Sequence, residues 1–138
     1  MAELFRHVVP PGPPRELRLV AFCVEGERHC VGLRMFADLM TLEGWKVQYV
    51  GQDTPTSSVL QFVREAKPAV IAVSVSVPKN VRALQHLIQG LRKTPGCAAV
   101  KILIGGRSAS MELCKRIGAD GYAESIGDAA EVANRLVA

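Results

Sequence analysis

The stretch Glu27-Arg28-His29-Cys30-Val31-Gly32 holds residues whose types and spacing could do chemistry. An imidazole that binds a metal coordinates through one ring nitrogen and needs an acceptor for the N–H of the other. A carboxylate two residues earlier, in an extended loop, can curl back to that nitrogen, fix the tautomer and raise the imidazole's basicity. The plainer alternative is that His29 is a surface residue and Glu27 one more exposed acid beside Arg28. Cys23 and Cys30 flank the stretch, and a zinc site from Cys23, His29 and Cys30 is conceivable. The paired Cys-x-x-Cys spacing is missing, however, and strand and loop geometry is expected to point these side chains apart. Cys30 is adjacent to His29, so their side chains diverge and a nucleophile role for the pair is not expected.

Two further stretches are unusual. Ser74-Val75-Ser76-Val77-Pro78 ends an apolar run with hydroxyls that could bond a polar ligand, or that could cap a helix starting near Asn80. Gly105-Gly106 would let a flat ligand lie against backbone with no Cβ between, or would simply be a strand-to-helix turn.

These residues need a scaffold that brings them together, and the apolar pattern supplies one. Buried strands are read at 17–23, 46–50, 69–75, 100–104 and 120–124, the third being the most β-branched and the best central strand. Helices are read between them at about 30–43, from Thr56 or Ser57 to Ala66, at 80–93 and 110–117, with a last one at 128–137. The first is expected to face inward through Val31, Met35, Leu39 and Leu42 and to stop at Gly44. The third is expected to bury Leu84, Leu87, Ile88 and Leu91. Gly51 to Pro55 are read as a turn. Five β-α units with near-continuous apolar strands predict a doubly wound parallel α/β sheet. The order is most simply 2-1-3-4-5, flavodoxin-like within the Rossmann-like folds. In such sheets ligands bind beyond the carboxyl ends of the strands, near the switch point between strands 1 and 3. The three stretches all fall there.

The 138 residues suit one domain. Residues 1–14 end in Pro-Pro-Gly-Pro-Pro and read as a tail or linker, leaving 15–138 as the domain. No apolar run approaches a membrane span, and the start lacks a signal-peptide pattern, so a cytoplasmic chain with reduced cysteines is expected. The net charge of +4 comes from basic residues spread along the chain without a stripe or interleaved aromatics, so direct nucleic-acid contact is not expected. There is no G-x-G-x-x-G after the first strand and no Walker lysine motif. The loop has neither the hydroxyls nor the stacking aromatics a flavin would favour. Ser74 stands where a phosphoacceptor domain would carry an Asp.

Together the three stretches resemble the signature of cobalamin (vitamin B12)-binding domains: Asp-x-His-x-x-Gly, then Ser-x-Leu, then Gly-Gly. Here it stands as Glu27-x-His29-x-x-Gly32, Ser74-x-Ser76 and Gly105-Gly106. The intervals and the order fit the family, over residues 17 to 138. The resemblance implies that His29 is the lower axial ligand to cobalt in a base-off, His-on form, with Glu27 accepting its hydrogen bond. Gly32 would allow close approach of the corrin. Ser74, Ser76, Gly105 and Gly106 would line the slot for the nucleotide tail, and Arg28 is counted with the cofactor-binding residues. Two departures stand out: Glu for Asp at 27 alters reach, and Ser for Leu at 76 makes the slot more polar.

The run from Gly32 to Pro55, with SVSVPKNVRAL and GGR, looks closer to the cobalamin domains of transcriptional regulators and B12-based photoreceptors. The leading expectation is therefore a regulatory or sensor module, with a light-responsive one among its versions, without its own substrate site, acting through a protein partner or a homo-oligomer. The alternative is a small corrinoid-binding subunit of a B12-dependent mutase or methyltransferase. Methyl carriers of the family usually place a helical bundle before the domain, where this chain has a 14-residue non-helical tail.

Overall fold

A computed structural model describes residues 16–138; the proposed Pro-rich tail at 1–14 lies outside the described residues. Five parallel strands form one sheet in the order β2-β1-β3-β4-β5: β1 Arg18–Val24, β2 Lys46–Thr54, β3 Val70–Ser74, β4 Lys101–Gly105 and β5 Gly121–Tyr122. The helices are α1 Val31–Leu42, α2 Thr56–Ala66, α3 Val81–Lys93, α4 Met111–Ile117 and α5 Ile126–Leu136, with a short 3-10 turn at Pro78–Asn80 before α3. This is the doubly wound, flavodoxin-like order expected from the sequence, with β3 at its centre.

Strand alternation divides the core. Val20, Phe22 and Val24 of β1, with Ile71, Val73, Ile102 and Ile104, pack against α2, α3 and α4. Leu19, Ala21 and Cys23, with Val70, Ala72 and Leu103, pack against α1 and α5. Both sets are buried because a parallel sheet needs helices on both faces to complete its crossovers. In α3 the buried residues are Leu84, Leu87, Ile88 and Leu91, the i, i+3, i+4, i+7 stripe read from the sequence.

Two readings need correction. The buried face of α1 is Leu33, Phe36, Ala37, Asp38, Met40 and Leu42, whereas Val31 is 75% exposed and Met35 and Leu39 are half-buried. The helix is apolar nearly all round, so spacing alone does not choose between stripes one residue apart. And residues 51–54 are strand, not turn: β2 runs on beside β1 with register shifts between Ala21 and Phe22 and between Phe22 and Val24. The irregularity absorbs the glycine at 51 (φ +99°) and brings Asp53 (φ +48°) to the end of β1. Smaller shifts occur at helix starts: α5 begins at Ile126, capped by the Ser125 hydroxyl, which accepts from the Asp128 N–H at 3.2 Å.

Candidate functional site

The site is built at the carboxyl edge, beginning where β1 ends. A turn closes between the Glu27 N–H and the Val24 carbonyl at 2.9 Å. Gly26 occupies the position that type II turns give to glycine, at φ +88°. A Cβ there would stand 2.7 Å from the Asn80 side-chain oxygen. The loop is then tied to the extended end of β2: Gly26 N–H donates to Asp53 Oδ1 at 2.8 Å, and Asp53 N–H donates to the Glu27 carbonyl at 2.8 Å.

This fixes the backbone of Glu27 and turns its side chain inward. Glu27 is 1% exposed, which rules out the reading of it as one more surface acid. Its Oε1 lies 2.8 Å from His29 Nδ1. Its Oε2 accepts three hydrogen bonds: from the Ser76 N–H at 2.8 Å, the Val77 N–H at 3.1 Å and the Asn80 side-chain amide at 3.1 Å. Burial alone would raise this carboxyl's pKa. The donors from Ser76, His29, Asn80 and Val77 outweigh it and hold the pKa at about 2, against an ordinary 4.5. Glu27 is therefore ionised at neutral pH and can only accept. His29 Nδ1 must carry the proton it donates, and in the neutral ring Nε2 is left with a free lone pair. The imidazole itself is well exposed, its side chain at 70%.

A cavity of about 940 Å³ opens beside His29. It lies against the sheet face covered by α1 and α5, and strand register explains its lining. Cys23, Ser74 and Gly105 are in one row across β1, β3 and β4. They continue the alternation that puts Ala72 and Leu103 on the same face, so Ser74 and Gly105 come to the cavity wall above those two residues. Phe36 of α1 and Ile126 and Ala129 of α5 supply the opposite wall. The small side chains of Ala72, Ala123 and Ala129 leave the space open.

All eight residues singled out in the sequence are placed here. Arg28, His29, Gly32, Ser74, Ser76, Gly105 and Gly106 line the cavity, and Glu27 stands behind His29. Gly32 is open toward the cavity: a Cβ there would meet no protein atom within 4 Å. Gly106 differs. At φ +107° its added Cβ would run into the backbone of Val75, so the fold alone accounts for this glycine. Ser76 holds Glu27 with its backbone N–H, and its carbonyl accepts from the Ser108 hydroxyl at 3.0 Å. Neither Ser74 nor Ser76 caps α3, whose N-cap is Asn80.

Two features escaped the sequence. By its sequence Asn80 marks the start of a helix, yet its amide is also the third donor to Glu27 Oε2. An Asn in a segment opened by Pro78 was the available signal. The α5 wall was missed because Ser125, Ile126 and Ala129 form no motif. The cysteines also need correction: Cys23 and Cys30 do not point apart but touch, Sγ to Sγ 2.9 Å. The 25–29 loop reverses the chain and lands the start of α1 over the face that Cys23 occupies. Even so, no group of three or more His, Cys, Asp or Glu able to hold a metal ion exists among the described residues.

These residues offer one free imidazole nitrogen beside a cavity of substantial size, as the resemblance to cobalamin-binding domains implies. One imidazole is oriented through its far nitrogen, a glycine faces open space beside it, and a cavity with mostly apolar walls lies next to it.

Comparison with known proteins agrees. Residues 17–131 match the B12 binding domain family. Over 106 residues the chain is 30% identical to the trimethylamine corrinoid protein of Methanosarcina barkeri, covering 77% of this chain and 49% of that protein. The chain thus spans about half the length of curated relatives it matches. The fold is shared with a cobalamin-binding protein from Desulfitobacterium hafniense, at TM-score 0.85 and 23% identity over 90% of this chain and 60% of that one. It is shared too with a chain of a methanol:cobalamin methyltransferase complex from Methanosarcina barkeri, at TM-score 0.80 and 20% identity over 98% of this chain and 52% of that one. The first of these is a corrinoid protein by name and the last a chain of a methyltransferase complex, which favours the corrinoid-subunit alternative over the regulator expected from the run 32–55. No helix among the described residues is long and apolar enough to cross a membrane. The chain belongs to the B12-binding domain family, and its cofactor is cobalamin.

Proposed function

We propose that this chain is the cobalamin-holding unit of a corrinoid protein, binding the cofactor base-off with His29 as the lower ligand to cobalt and presenting the other face of the corrin to a partner protein. The observation that carries this is the hydrogen bond from His29 Nδ1 to a buried, ionised Glu27, which leaves the Nε2 lone pair free to coordinate beside the cavity. When bound, cobalamin supplies the cobalt–carbon chemistry, and the chain supplies binding and orientation. Glu27 keeps the imidazole in the Nδ1–H tautomer. Gly32 leaves room over the loop, where Val31 is also exposed. Ser74, Ser76 and Gly105 line the slot that receives the displaced nucleotide tail, and Arg28 stands at its rim. The partner reading is supported by the methyltransferase-complex chain that shares this fold.

The test is the visible spectrum after incubation with methylcobalamin and desalting. The chain should retain the corrinoid with a base-off, His-on spectrum. His29→Ala should lose that form while remaining folded, with stability in urea lower by about 1 kcal/mol from the donor that Glu27 loses. A His29→Ala protein with the same bound spectrum as the parent overturns the ligand assignment.

A further inference from the structure

We propose that Cys23 and Cys30 form a reversible dithiol–disulfide couple that clamps the His29 loop, and that small disulfides reach it through the cofactor cavity. The two sulfurs are 2.9 Å apart, about 0.9 Å more than the ~2.04 Å of a disulfide bond. The rest of the arrangement gives the two thiols different parts. Cys23 is fully buried at the end of β1, and its thiol faces the His29 carbonyl at 3.6 Å. Cys30 is half-buried at the N-cap of α1, lines the cavity, and packs beside the Tyr49 hydroxyl. Only Cys30 is open to a reagent, and only Cys23 is placed to resolve what the reagent leaves. The other two cysteines, Cys97 and Cys114, are buried in the core on the opposite sheet face.

The chemistry is a two-step exchange with a low-molecular-weight disulfide as oxidant. Cys30 Sγ, having lost its proton, bonds to one sulfur of the reagent; the reagent's S–S bond breaks and its other half leaves as a thiol. Cys23 Sγ then loses its proton and bonds to Cys30 Sγ, expelling the second thiol. The cysteine pair is oxidised by two electrons, the reagent is reduced to two thiols, and the two cysteine protons end on them. The new bond closes the segment 23–30, which contains Glu27 and His29, so the state of the couple is felt by the ligand loop. A corrin seated over that loop would cover the route to Cys30. This last point rests on the cofactor site proposed above; the couple itself does not.

The experiment treats the full, cofactor-free chain with oxidised glutathione and reads intact mass, followed by peptide mapping. Loss of two hydrogens, mapped to a Cys23–Cys30 link, is the expected result, reversed by dithiothreitol. Amide exchange across residues 24–30 should slow roughly tenfold in the oxidised chain. Cys23→Ala should instead accumulate a stable glutathione adduct on Cys30. A persistent adduct on the parent chain, a link involving Cys97 or Cys114, or no mass change overturns the couple. A second arm preloads methylcobalamin in the dark: oxidation should slow at least several-fold. Unchanged oxidation of a chain whose spectrum shows bound corrinoid overturns the shielding while leaving the couple standing. A chain that is oxidised but never retains corrinoid instead overturns the proposed cofactor site.

Discussion

At the residue scale, Glu27 answers what a Glu does where the family pattern has Asp. Its backbone is fixed by Val24 and Asp53, and its carboxylate spans from the buried donors of Ser76, Val77 and Asn80 to the exposed ring of His29. The extra methylene supplies the reach between those two sets. Glu27→Gln separates its tasks. The amide oxygen can still accept from the buried donors, but its NH2 group faces His29 and must donate. That forces the Nδ1 lone pair toward it and the proton onto Nε2, the nitrogen proposed to coordinate. The charge-assisted bonds also become neutral ones. Glu27→Gln should therefore lose roughly 1–3 kcal/mol in urea unfolding and should lose the His-on spectrum even when corrinoid is retained. The Asn80 amide reaches His29 only through Glu27: Asn80→Ala removes one donor and should weaken stability by about 1 kcal/mol while keeping the His-on form, as judged by the same two measurements.

At the element scale, two glycines at strand and helix boundaries test opposite things. Gly106 follows β4 in a conformation that side chains rarely adopt, and any Cβ would collide with Val75, the residue after β3. Gly106→Ala should cost roughly 2–4 kcal/mol by chemical denaturation, because the β3–β4 edge must open to admit it. Gly32 sits in the first turn of α1 with open space in front. Gly32→Ala should leave the fold as stable or up to about 1 kcal/mol more so, from helix propensity, while cobalamin retention falls. A Gly32→Ala chain that loads normally would show that the ligand does not approach there.

At the scale of the whole molecule, the depressed pKa of Glu27 ties folding to acidity. The sign follows from the direction: the folded carboxyl titrates near 2 and the unfolded one near 4.5. The unfolded chain thus binds the proton first as pH falls. The stabilisation is complete above about pH 4.5 and is lost progressively toward pH 2, roughly 3 kcal/mol in all. Urea midpoints from about pH 6 to about pH 2 should fall along that interval, and Glu27→Gln should flatten this part of the curve. Much of this architecture was legible beforehand, and for a physical reason. Strand alternation and the α3 stripe are local patterns set by burial, so order and core could be read from them. The Glu27-x-His29 spacing is likewise local, and so is the reach of one side chain to the other. What could not be read depends on long-range register. The β2 irregularity that brings Asp53 to Gly26, the Asn80 amide 53 residues from its acceptor, and the contact of Cys23 with Cys30 all follow from how separate segments meet. The α1 face was misread because Val31 is apolar yet lies at the cavity mouth, where a ligand would serve as its core.

Glu27 also bears on how such a domain can change over generations. One oxygen of its carboxylate belongs to the fold and the other to the imidazole of His29, so a substitution there cannot retune the ring without taxing the structure. A change in the ring's electronic character is reached at smaller cost through the neighbours that share the carboxylate, Asn80 above all, whose amide is one donor among several.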